Sequence, residues 1–275
     1  MRLSKKNYHS REMNMKYMSA SQFKAFSKCE AAAMAELQGE YVRPETEALL
    51  VGSYVDAYFE KKMNAFLQGH PEMFKKDGSL KAAYAHANDI INRSTRDRLF
   101  YLMLSGRKQV VKTGKIAGVP FKAKVDSLLD AKKVHSILGE FPDTQDYLGL
   151  SSGAIVDLKV MRDMKPVWSD EECQKVSFVE GWGYDIQGAI YQEIEGHKLP
   201  FFLAVITKET EPDLRILSIS QSDLDIKLAE VEEMAPRYQA IKKGELPPTR
   251  CEHCDYCRST RKLTNIIDYK ELDIC

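Results

Sequence analysis

No apolar run in this 275-residue chain approaches the roughly 20 residues that a membrane-spanning helix needs. Net charge is missing too: forty Lys and Arg balance forty Asp and Glu. That balance excludes a global field drawing the protein onto nucleic acid or an anionic membrane, so any polyanion has to be held by a local groove. The opening residues, MRLSKKNYHSREMNMKYM, are polar and basic without an apolar centre, so they do not read as a secretory signal. The expected location is therefore cytoplasmic. Cysteine is scarce, with six in all, and in a reducing compartment these stay thiols unless a metal takes them. Internal repeats and low-complexity linkers are absent as well. With 44% hydrophobic residues, the simplest account is one α/β domain. Its expected parts are a flexible N-terminal arm at 1–17, a domain at 18–248 and a cysteine-bearing tail at 249–275 that packs back on it.

Periodicity divides the domain. The stretch MSASQFKAFSKCEAAAMAEL predicts a helix with Ser19 and Gln22 as a capping box, an apolar stripe at Phe23, Phe26, Ala33 and Leu37, and Gly39 as its end. A second helix is predicted over ETEALLVGSYVDAYFEKKMNAFLQG, with Val55, Phe59, Met63 and Phe66 inward and Asp56 and Glu60 on another face. A third covers 80–105. The period then changes: QVVKTGKIAGVPFKAKVDSLLD alternates around Gly114, Gly118 and Pro120, as a β-hairpin does. Its polar face carries Lys122, Lys124 and Asp126, the lysines being expected to face solvent or, close to Asp126, to touch phosphates. After a polar stretch to about residue 152 come a strand at AIVDLKV and a helix over YDIQGAIYQEIEG. A strand pair, FFLAVITKE and LRILSIS, follows, then a long helix capped by Ser222 in which Pro236 is expected to make a kink or break.

The AIVDLKV stretch poses a chemical question. Strand side chains alternate, so Asp157 and Lys159 share one face of an otherwise apolar strand while Val156, Leu158 and Val160 share the other. An ion pair on a solvated edge would be the inexpensive explanation. Taken with Asp126 and a helical carboxylate at Asp56 or Glu60, the pair instead fits a site for a hard divalent cation, which takes carboxylate oxygens, water and substrate phosphate. The lysine would then orient or deprotonate a metal-bound water, or offset charge developing on phosphorus.

In order along the chain, GSYVDAYFE, KAKVDSLLD, AIVDLKV and YDIQGAIY resemble the PD-(D/E)XK nuclease superfamily, nearest the phage-type exonucleases related to RecE and to the nuclease domains of RecB. The resemblance implies a restriction-endonuclease-like α/β core, a central mixed sheet flanked by helices. It implies Mg²⁺ (or Mn²⁺) bound by Asp56, Asp126, Asp157 and the backbone carbonyl of Leu158, with Glu60 a further candidate. Lys159 would be catalytic beside Asp126 and Asp157, and Gln187 and Tyr191 would face DNA. The expected activity is hydrolysis of DNA phosphodiester bonds, exonucleolytic on linear duplex. The resemblance further implies phage-type DNA recombination inside a bacterial host, a single-strand annealing protein as partner, and scope for an oligomer. Relatives often carry His where this chain has Asp56. The segment of about thirty residues between Asp126 and Asp157 is expected to loop out. A different class of reading is a non-catalytic DNA-binding or scaffold protein on a nuclease-like fold with a metal staple.

Three of the cysteines form CEHCDYC, namely Cys251, Cys254 and Cys257. With no second C-x₂-C hook, three close cysteines and one distant one match the ligand pattern of a [4Fe–4S] cluster, and Cys29 is the expected fourth. Nuclease relatives of the AddB and CRISPR-associated kinds have a similar arrangement. Zn²⁺ remains the alternative, with His253 an awkwardly placed candidate ligand. Cys173 and Cys275 read as ordinary thiols.

Overall fold

The computed structural model describes residues 2–42, 46–149, 151–169, 172–196, 199–266 and 268–271. The segment expected to be a flexible arm contains a helix, α1 (Arg11–Lys16), capped by Ser10. Met13 on it is fully buried. The anchor is Lys122, which was expected in solvent but is fully buried: its ammonium donates to the Tyr8 carbonyl and, at 2.6 Å, to Asn14 Oδ1. Burying that ammonium is tolerable because these oxygens replace its water. Lys242, also buried, donates to the Tyr17 carbonyl at 3.0 Å.

The single helix expected from residue 18 is two, α2 (Ala20–Lys28) and α3 (Glu30–Gln38). Ser19 caps the first as predicted by accepting the Gln22 N–H, but the Gln22 side chain donates to the Asn14 carbonyl at 3.0 Å and leaves the box half formed. The break falls at Cys29, which is extended and caps the second by accepting the Ala32 N–H on its sulfur. Thr46 caps α4 (Glu47–Phe59), and α5 (Met63–Gly69) follows. Asp97 splits the expected third helix into α6 (Ala87–Arg96) and α7 (Arg98–Met103), because its carboxylate takes the Phe100 N–H and caps the second.

The hairpin forms as β1 (Arg107–Ile116) and β2 (Val119–Asp130), joined by Ala117 and Gly118, both at positive φ (46° and 79°). Such a turn matches the twist of its strands. The segment expected to loop out is largely helical instead: Asp130 caps α8 (Ala131–Glu140), which buries Val134 and Ile137, and α9 (Gln145–Leu148) follows. Then come β3 (Gly153–Met161), a small hairpin of β4 (Val167–Ser169) and β5 (Gln174–Val176), α10 (Phe178–Gly181) and α11 (Tyr184–Glu195). The small hairpin and α10 are too short for periodicity to reveal. The chain continues through β6 (Phe201–Thr207), β7 (Leu214–Ser218), α12 (Gln221–Lys243) and α13 (Asp255–Ser259). Ser220, not Ser222, caps α12. The helix passes through Pro236 because its buried stripe, Val231, Ala235, Tyr238 and Ile241, holds both halves on the core.

One mixed sheet in the order β1-β2-β3-β6-β7 divides the molecule, with only β3 and β6 parallel. On one face Phe23, Phe26, Leu37, Phe121, Ile190 and Tyr238 bring α2, α3, α11 and α12 onto it. On the other, Val55, Ile90, Phe100 and Ile137 bring α4, α6, α7 and α8 against Val156 and Ala204. The architecture is the restriction-endonuclease-like α/β core expected from the sequence.

Buried Glu30 ties the tail to this body. Its oxygens accept from Arg237 Nε (2.7 Å) and Nη2 (2.9 Å), and from the Thr249 N–H (2.8 Å) and hydroxyl (2.7 Å). Glu30→Ala removes all four acceptor contacts. Thermal denaturation is expected to show a melting temperature lower by several degrees, with proteolysis of the tail beginning well below it.

Candidate active site

Strands β2 and β3 pair from Asp130↔Gly153 to Ser127↔Val156 and then part. The next residue on each side of this fork is an aspartate, Asp126 and Asp157. Within the fork the Leu158 N–H donates to Asp126 Oδ2 at 3.1 Å. A strand residue directs its N–H and C=O to the same edge, so the Leu158 carbonyl also faces this gap. Gln109 of β1 holds the other oxygen of Asp126, its Nε2 donating at 2.8 Å. Gln109 lies at φ 52°, in the left-handed region, and its Oε1 is buried without a hydrogen-bond partner. A strained non-glycine residue inside a strand costs on the order of 1–3 kcal/mol and marks a position held for use.

Asp157 and Lys159 do share a face, toward α11. Asp157 is 2% exposed, and its Oδ1 accepts from Gln187 Nε2 at 2.6 Å. Lys159 Nζ donates to Gln187 Oε1 at 3.0 Å, lies 2.5 Å from Asp157 Oδ2 and sits 4.8 Å from the Tyr184 ring centre. Although an ion pair to Lys159, Asp157 Oδ2 accepts no well-directed hydrogen bond. Burial acts to lower the Lys159 pKa, but the Asp157 and Asp126 carboxylates outweigh it and the net shift is upward. The solvated-edge explanation of the two charges therefore does not hold.

Across the sheet edge, α4 brings Asp56 and Glu60 to a narrow cleft shared with Asp126, Leu158, Gln109 and Lys108. Desolvation pushes the Asp56 carboxyl up to about 7; Lys159 opposes this, while Asp157 and Glu60 add to it. Asp126 is raised well above the usual carboxylate range, by burial first and then by Asp157 and Asp56. Glu60 pairs with Lys62 at the rim. Asp56, Glu60 and Asp126 gather with Leu158 in this cleft, oxygen donors of the kind a hard divalent cation takes, but no three carboxylates among the described residues close to single-ion spacing.

These shifts have a measurable consequence. A carboxyl whose folded pKa exceeds its unfolded value binds more protons in the native state, so its contribution to stability falls as pH rises between the two values. For Asp56 that window runs from its ordinary value of 3.8 to about 7. A cation relieves the repulsion only where the carboxylates are ionised. Scanning fluorimetry is expected to show Mg²⁺ raising the melting temperature more at pH about 8 than at pH about 5, with the difference lost in Asp56→Asn.

Gln187 and Tyr191 do not present themselves to solvent as expected for residues facing DNA. Gln187 is buried, bridging Asp157 and Lys159, and Tyr191 is buried with its hydroxyl donating to the Lys124 carbonyl at 3.3 Å. Both brace the strands that carry the charges. Lys208 donates to the Ala48 carbonyl and takes no part here. Several neighbours escaped the sequence reading. Gln109 is one. Tyr8 and His9 are others, His9 Nε2 lying 3.1 Å from Lys124 Nζ. Lys24 is brought down to about 8, by desolvation first and then by Lys159, and its Nζ stands 5.2 Å from the Tyr184 ring centre. None sits in a spacing that could have revealed it.

Cys29, Cys251, Cys254 and Cys257 come together at the far end of α2 as a group able to hold a metal ion. His253 is exposed and outside that group. Cys173, expected to be a plain thiol, is disulfide-bonded, and Cys275 lies outside the described residues. Among the described residues no helix is long and apolar enough to cross a membrane.

The sequence matches the family model described as a PDDEXK-like domain of unknown function (DUF3799) over residues 19–136 and 143–260. The fold is similar to a crystal structure from Eubacterium rectale described as a "Putative exonuclease". The two share 42% identity at a TM-score of 0.82, over 98% of this chain and 97% of that one. No curated protein is significantly similar to the chain.

Proposed function

The chain belongs to the PDDEXK-like family, and on that premise we propose that it is a metal-dependent deoxyribonuclease degrading linear duplex DNA from its ends. The observation that carries this reading is the fork between β2 and β3. There Asp126 and Asp157 stand opposite one another, and Lys159 is held beside Asp157 by Gln187.

Asp126, Asp157 and the Leu158 carbonyl would hold Mg²⁺ or Mn²⁺, with Asp56 completing the set and Glu60 at its margin. Such an ion would supply Lewis-acid polarisation of the phosphodiester and a more acidic attacking water. The protein's own groups do the rest. Lys159, paired with Asp157 and held by Gln187, would act as a fixed positive donor toward the phosphate oxygens that gain charge. Gln187 acts through Lys159 and Asp157 by fixing the direction of each, and is a positioning residue. Gln109 does the same for Asp126. Lys24, Lys124 and His9 line the approach and would contact flanking phosphates. The proposed setting is phage-type recombination in the cytoplasm of a bacterial host, with a single-strand annealing protein receiving the exposed strand.

The test is incubation of linear and covalently closed circular duplex with Mg²⁺, beside the Asp157→Ala protein. Loss of the linear DNA alone, abolished by EDTA and by the substitution, is the expected result. Cleavage of neither by folded, metal-supplied protein would reject the enzyme, and equal cleavage of both would reject the requirement for ends.

A further inference from the structure

The cysteine group distinguishes between the two metals its sequence pattern allows. Cys29 Sγ lies 3.6 Å from Cys257 Sγ, Cys251 Sγ lies 3.9 Å from the same atom, and all four sulfurs fall within 4.8 Å of one another. Four thiolates about 2.3 Å from a single zinc occupy tetrahedral corners about 3.8 Å apart. A [4Fe–4S] cube places iron and sulfide between each thiolate and the centre, so its four cysteines must stand much further apart than these do. Cys29 and Cys257 are fixed on one side, Cys257 fully buried and Ala31 and Ala32 packed into the same cluster, while Cys251 and Cys254 are half-buried at the edge. The cube suggested by the likeness to iron–sulfur nucleases therefore does not fit this cradle.

The backbone is arranged for a compact site as well. The Ala32, Cys254 and Cys257 N–H groups donate to the sulfurs of Cys29, Cys251 and Cys254 at 3.5, 3.4 and 3.5 Å. Each of these bonds runs from the residue three positions on, so the same tight turn recurs three times. Such N–H···S bonds orient thiolates and favour their charged form, which is the state a metal binds. With four sulfur donors the site suits a soft or borderline ion and not the Mg²⁺ or Mn²⁺ of the fork.

We propose that Cys29, Cys251, Cys254 and Cys257 bind one zinc ion, which clasps the α2–α3 junction to the C-terminal tail, and that the protein carries no iron–sulfur cluster. The site is closed, with four protein ligands, so the ion is structural. The assignment does not depend on whether DNA is cleaved.

The test is elemental analysis and acid-labile sulfide determination on full-length protein prepared without oxygen, beside protein produced in cobalt-supplemented, zinc-depleted medium. One zinc per chain, no labile sulfide and the red-region absorption of tetrahedral cobalt thiolate in the second preparation are expected. Cys257→Ser should lose the metal; if it does not fold, Cys251→Ser at the more exposed edge serves, and the wild-type analysis stands alone. Iron with labile sulfide, or a single iron without it, overturns the proposal. So does zinc that a chelator removes without lowering the melting temperature.

Discussion

Lys159→Ala is expected to slow cleavage of linear duplex by about a thousandfold, the loss typical when one preorganised charge donor is removed from a transition state. Binding of the same duplex should change little, because Lys24, Lys124 and His9 remain to meet the backbone. Single-turnover rates and a separate binding titration distinguish the two effects. The same rates followed against pH decide how the lysine acts. In the metal-free protein Asp157 and Asp126 hold its proton on against the pull of burial, and a cation on those carboxylates would weaken that hold. A general base would have to lose that proton, so its removal would flatten one limb of the pH–rate profile. A permanent ammonium would leave the profile's shape intact and lower it throughout. A limb that disappears in Lys159→Ala would show that the lysine does act as a base.

Asp126→Asn is expected to abolish cleavage and at the same time to stabilise the metal-free protein. The wild-type carboxyl is raised by burial and by two neighbouring carboxylates, so folding forces together charges that water would keep apart. The substitution removes one of these charges at nearly constant volume. The Gln109 contact survives the change: rotation of its amide lets the introduced side-chain NH₂ donate to Oε1, with Nε2 taking the unpartnered place that Oε1 holds in the wild type. The carbonyl oxygen of the new side chain still accepts from the Leu158 N–H, as the carboxylate does. A gain of about 1 kcal/mol in the metal-free state is of the size usual when a functional site is relaxed. Chemical denaturation in EDTA measures it. Repeating the titration with Mg²⁺ should reverse the order, since the wild type gains from the ion and the variant does not. A variant less stable than wild type in EDTA would mean that Asp126 is a structural hydrogen-bond acceptor and that the fork is not strained by charge.

Much of this site was legible because its chemistry interrupts a pattern. Asp157 and Lys159 stand out in β3 since a buried strand has no ordinary use for them, and the hairpin at Ala117–Gly118 declares itself by alternation. What stayed hidden depends on partners far along the chain. Lys122 looks like a surface lysine until the Tyr8 carbonyl, 114 residues away, covers it. Cys29 looks like the middle of one helix, and only the tail explains why the backbone opens there. Gln109 is one polar residue among many. Its part arises because β1 sets it beside Asp126 at a positive φ, and nothing in the local sequence requests that conformation. Gln187 and Tyr191 fell where helical spacing placed them, but whether such a face meets solvent or the sheet is decided by packing. Here it meets the sheet.

The clasp at Cys29 and the Glu30 contacts to Arg237 and Thr249 also determine when the molecule can become itself during synthesis. Residue 30 leaves the ribosome early, and its partners follow some two hundred residues later. Until then one side of α3 has a buried carboxylate without its arginine and a thiol without its companions, and a loop spanning nearly the whole chain remains open. Nascent chains commonly acquire structure from the N-terminus as they emerge. In this one the side of α3 that carries Glu30 and Cys29 is completed only when residues 237–257 arrive, whereas Phe23, Phe26 and Leu37 have their partners in the sheet core. A truncated product that never reaches Cys251 would lack the closure of the α2–α3 junction against the tail.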